Sequence, residues 1–138
     1  MVVSNLIWSH SVITRRLLLL TAAIAVIGAN SLALSPIAAS VAVAFPGRSA
    51  ADVMTAAAFY GLATAASALL LAAMADRIGA ERALVRALWV LCVSLGLAAL
   101  APALWVLIAA QALAGVAAGM ALPAIYTLTA PVAAKGRE

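Results

Sequence analysis

Charge is scarce in this sequence. Its 138 residues include eight Lys and Arg and four Asp and Glu, 9% in all, against roughly 25% in an ordinary soluble domain. With 68% hydrophobic residues and a mean hydropathy of +1.23, the chain has too little polar surface to cover a water-soluble fold. The single cysteine, Cys92, stands inside an apolar run, which excludes a disulfide framework and a cysteine metal site. The single histidine, His10, has no second ligand or nucleophile to work with. No metal, cofactor, catalytic residue or enzymatic activity is therefore expected. Acids are missing from the interiors of all the apolar runs, so the usual intramembrane proton carriers are absent from this chain. The net charge of +4 does not point to nucleic acid either, because the cations sit in the gaps between apolar runs and not on one solvated face.

What remains is apolar sequence in long runs. At about 20 residues per crossing, the length accommodates four spans and no separate soluble domain. Residues 1–16, including Trp8 and His10, show no clear period and read as a cytoplasmic lead ending in Arg15-Arg16. The first span, 17–44, carries no charge. Signal-peptide cleavage is not expected there, since a signal core runs about 7–15 residues and this run is far longer. Phe45-Pro46-Gly47-Arg48-Ser49 supplies turn chemistry. The second span, 51–74, has Asp52 at its start, where an acid suits the positive end of the helix dipole. The third and fourth spans, 83–100 and 104–129, are divided by Ala101-Pro102-Ala103, and 131–138 form a charged end. The expected fold is an all-α membrane protein with four transmembrane helices, and its first partner is the lipid bilayer.

The cations orient it. Arg15, Arg16, Arg77, Arg82, Arg86, Lys135 and Arg137 fall on one side of a four-span arrangement and Arg48 alone on the other, which predicts both termini in the cytoplasm.

Between the second and third spans lies the most charged stretch, Ala75-Asp76-Arg77-Ile78-Gly79-Ala80-Glu81-Arg82. Asp76 at a helix C-terminus opposes the dipole by about 0.3–1 kcal/mol and calls for a cation among Arg77, Arg82 and Arg86. Gly79 is suited to the positive φ that ends a helix. Taken alone, the stretch is either a solvated turn with stop-transfer charges or a functional loop. Its order, Asp76-Arg77-x-Gly79-x-x-Arg82, resembles the loop motif Gly-x-x-x-Asp-Arg-x-Gly-Arg-Arg of the major facilitator superfamily. Asp76, Arg77 and Gly79 match. Ala72 replaces the leading glycine, Ala80 and Glu81 replace the basic pair, and Arg82 follows one place later. In the fourth span, Gln111-Ala112-Leu113-Ala114-Gly115-Val116-Ala117-Ala118-Gly119 is similar to Arg-x-x-Gln-Gly-x-Gly-Ala-Ala of that family's drug:proton antiporter branch. Gly115 and Ala118 match, while Gln111 takes the place of the arginine and Ala114 that of the glutamine.

The resemblance implies part of the N-terminal bundle of a twelve-span secondary transporter, N-in and C-in, that moves a small solute (drug, sugar or metabolite) by alternating access, and the alanine-rich composition points to the plasma or inner membrane. Asp76, Arg77, Gly79 and Arg82 would form its conformational-switch loop. A C-terminal bundle would be the missing partner, and four helices alone would be inactive. Three-helix inverted repeats in such transporters relate the first and fourth spans, and a weak trace joins Leu32–Ala38 to Gly119–Ile125.

Asn30, Tyr60 and Gln111 are polar residues within apolar runs. Each either lines a substrate path or packs between helices, where an interhelical hydrogen bond contributes about 0.6 kcal/mol. Gly115-x-x-x-Gly119 permits close helix approach, as a packing seam within the bundle or as a dimerisation face. The latter supports an alternative reading, a small four-helix adaptor with a helix partner in another membrane protein. Trp105 is expected as an interfacial anchor and Trp89 as a packing residue. A self-sufficient dimeric exporter resembling the small multidrug resistance proteins is disfavoured, because those carry a glutamate in the first span and residues 17–44 have none.

Overall fold

The computed structural model describes the backbone from Val2 to Lys135 and the side chains from Thr14 to Ala130, apart from Ala72 and residues 74–76. These residues form four helices, α1 (Val2–Val43), α2 (Ala50–Ile78), α3 (Ala80–Ala99) and α4 (Leu104–Lys135). Each contains a segment long and apolar enough to cross a bilayer: Thr14–Val43, Ala50–Leu71, Ala80–Ala99 and Leu104–Ala130. The protein is an all-helical, multi-pass membrane protein. Helices suit that medium because each satisfies its own backbone hydrogen bonds where no water is present.

The boundaries follow local chemistry. The helical backbone of α1 continues upstream through the expected lead to Val2 and passes through Pro36. It stops before Phe45-Pro46-Gly47, where Gly47 takes a φ of 75° and the Arg48 N–H donates to the Phe45 carbonyl at 3.1 Å. A reciprocal cap then starts α2. The Ser49 N–H and hydroxyl donate to the Asp52 carboxylate at 2.8 and 2.9 Å, and the Asp52 N–H donates back to Ser49 Oγ at 3.2 Å. This is a capping box with an acid in the first turn.

The charged stretch is shorter as a connection than the sequence suggests. α2 runs through Asp76, Arg77 and Ile78, and α3 begins at Ala80, so Gly79 alone joins them. Its φ of 87° is positive, as expected, but its ψ of 136° is extended and not that of a left-handed helical cap. Ile78 and Ala80 on either side pack against the apolar core, which holds the joint to one residue.

α4 is the centre of the bundle. Of its most apolar stretch 61% is enclosed by protein, against 17% for α1. Ala110, Ala114, Ala117, Ala121 and Ala124 repeat along it at alternating four- and three-residue steps, and all are buried. Such small residues let backbones approach closely, which matters where lipid offers no hydrophobic drive for one helix to seek another. α4 packs mainly on α2 and α3, while α1 packs mainly on α2. Trp89 departs from expectation. The inner stripe of α3 is Ala83, Ala87, Leu91 and Ser94, and Trp89 lies off that stripe, 70% exposed on the outer side. Trp105, one residue into α4, is 72% exposed at a helix end, where an interfacial anchor belongs.

Candidate functional site

Three helices bring their polar residues to one place. The Asn30 amide of α1 donates to the Gln111 side-chain oxygen of α4 at 3.4 Å, and it also lies beside the Tyr60 hydroxyl of α2. That hydroxyl donates to the Ile27 carbonyl at 3.3 Å. Gln111 and Tyr60 are buried and Asn30 is half-buried. All three lie within spans, so each polar group left without a partner would cost more than it does in water.

The glycine seam holds this cluster together from below. A β-carbon on Gly115 would run into the Tyr60 carbonyl oxygen, and one on Gly119 into the Ser67 hydroxyl and the Thr64 carbonyl. The contacts advance along both helices in the same sense, so α2 and α4 run parallel here. Gln111 stands one turn before Gly115 on that face. Close backbone approach at Gly115 thus sets the level at which Gln111 and Tyr60 meet α1. Gly115 and Gly119 are both buried against α2, so the seam is filled within the chain and is not presented as a dimerisation face.

Thr64 and Ser67 belong to the same strip and were not among the residues the sequence singled out. The Thr64 hydroxyl donates to the Tyr60 carbonyl at 2.8 Å. The Ser67 hydroxyl donates to the Thr64 carbonyl at 3.2 Å and approaches the Gly115 carbonyl at 3.5 Å. The spacing Tyr60, Thr64, Ser67 is the signal that would have found them, because residues four and three apart share a helix face.

The charged joint is a separate locality. The Asp76 side chain lies outside the described residues. Arg77 and Arg82 are exposed on the last turn of α2 and the first turn of α3, with Gly79 between them. Among the described residues the ion pair at this end is Arg16–Glu81, at 3.7 Å between well-exposed groups. It ties α1 to α3 at the same level and adds little stability, because exposed pairs contribute about 0–1 kcal/mol. The residue that takes the place of a basic one in the loop motif, Glu81, therefore engages a cation of the first helix.

No known protein family, curated protein or solved structure matches this chain.

Proposed function

We propose that these helices are the N-terminal portion of a secondary transporter of the major facilitator type, carrying a small solute such as a drug, sugar or metabolite across the plasma or inner membrane by alternating access. The observation that carries this reading is the meeting of Asn30, Tyr60 and Gln111 from three helices inside the span. Such transporters bind solute near the midplane, between bundles that rock against one another. Carboxamide and phenol groups there can exchange hydrogen bonds with each other for hydrogen bonds with a solute. The one-residue joint at Gly79, beside Asp76 and Arg77 and just before Arg82, lends further support as the switch loop. Both termini would be cytoplasmic, on the side that carries most of the arginines.

Four helices form only one wall of such a path. In liposomes, the pure 138-residue chain should move labelled sugars, amines and amino acids no faster than empty vesicles. Asp76→Asn in the complete transporter should leave membrane insertion intact and abolish transport. Flux through the 138-residue chain alone would overturn the partial-bundle reading, and full activity of Asp76→Asn would remove the joint from the mechanism.

A further inference from the structure

The outer face of α3 has a feature that solute transport does not use. Arg82, Arg86 and Trp89 follow one another at four- and three-residue steps, so they share one side of the helix. All three are exposed. Among the described residues, neither Arg82 nor Arg86 makes an ion pair, and the carboxylate on this turn, Glu81, is engaged by Arg16. Beside them lies a shallow, open apolar cleft on the surface of α3, lined by Val85, Leu88, Trp89 and Cys92. Arg82 stands on the first turn of α3, at the charged end of the bundle, and Trp89 is seven residues on, about 10 Å deeper along the helix.

We propose that this face is the seat of one anionic phospholipid molecule. The two guanidinium groups hold the headgroup phosphate, and the cleft takes the upper part of an acyl chain against the Trp89 ring. The chemistry of the occupant follows from the site. An anion at the surface answers two arginines one turn apart, whose planar donors match phosphate oxygens. Only a hydrocarbon chain continuous with that anion answers the uncharged cleft below. A soluble phosphate would fill the first half and leave the second empty.

Trp89 is its own reporter. In a Trp8→Phe, Trp105→Phe chain it is the sole tryptophan, and bromine on an acyl chain quenches tryptophan only at contact. The full chain is reconstituted in phosphatidylcholine vesicles in which a minor fraction of either phosphatidylglycerol or phosphatidylcholine carries brominated chains. Brominated phosphatidylglycerol should quench Trp89 well beyond the same fraction of brominated phosphatidylcholine, with an enrichment of about fivefold per arginine. Arg82→Gln with Arg86→Gln should erase the preference, and Arg15→Gln should not. Since both arginines are exposed, the double variant should keep its helical content. Excess glycerol phosphate should leave the quenching unchanged. Equal quenching by the two lipids, survival of the preference in the double variant, equal loss in Arg15→Gln, or displacement by glycerol phosphate would each overturn the proposal.

Discussion

A side chain has no room at two points on α4. Anything larger than hydrogen at Gly115 or Gly119 meets the backbone of α2 near Tyr60 or Thr64, whereas a β-carbon on Gly61 meets nothing within 4 Å. Gly119→Val should therefore destabilise the bundle by about 1–3 kcal/mol, the usual cost of forcing atoms into a packed interface. Gly61→Ala should leave it unchanged or slightly more stable. Titration of each variant with SDS in mixed micelles, followed by helix signal, measures the difference; coincident curves for Gly119→Val and the parent would remove the seam. Asn30, Tyr60 and Gln111 were legible in the sequence because a polar side chain stands out in an apolar run. Thr64 and Ser67 were less so, since a hydroxyl in a membrane helix can bond its own preceding turn and needs no distant partner.

At the scale of elements, the four apolar helices were legible from composition alone, and the largest departure is at the charged stretch, where helix continues up to Gly79 from both sides. Ala, Arg and Glu are strong helix formers, so the charged stretch has no residue except Gly79 at which a helix must stop. That leaves one φ of 87° to turn the chain between α2 and α3. Gly79→Ala puts a β-carbon at a positive φ with an extended ψ, a sparsely populated conformation that costs about 1–3 kcal/mol for other residues, although no neighbour lies within 4 Å of it. The expected result is a lower unfolding midpoint in the same titration with unchanged helix content, while Gly96→Ala, in open space inside α3, should not fall. A midpoint for Gly79→Ala equal to the parent's would show that the joint does not depend on glycine. Which face of a helix turns inward was the least legible property. In water an apolar stripe marks the core, but in lipid both faces are apolar, and Trp89 on the outside of α3 illustrates it.

Taken as a whole, the molecule is a bundle assembled on α4, with α2 locked to it by glycine and α1 joined at its middle through Asn30 and at its charged end through Arg16. Asn30 is half-buried where its partners are buried. If the cluster lines a solute path, Asn30 is the member a solute would reach first, and a dry interhelical bond and such a path differ in whether water reaches it. Cys92→Ser provides a cysteine-free background, on which Asn30→Cys can be compared with Leu69→Cys on the exposed apolar side of α2. The deciding measurement is the rate at which a small, charged, membrane-impermeant thiol reagent modifies each cysteine in native membranes. If the cluster lines a solute path, Asn30→Cys reacts at least tenfold or so faster than Leu69→Cys, since only the ionised thiolate is the nucleophile and lipid suppresses it. If Asn30→Cys is as inert as Leu69→Cys, the three polar residues are a packing device and the transport reading falls.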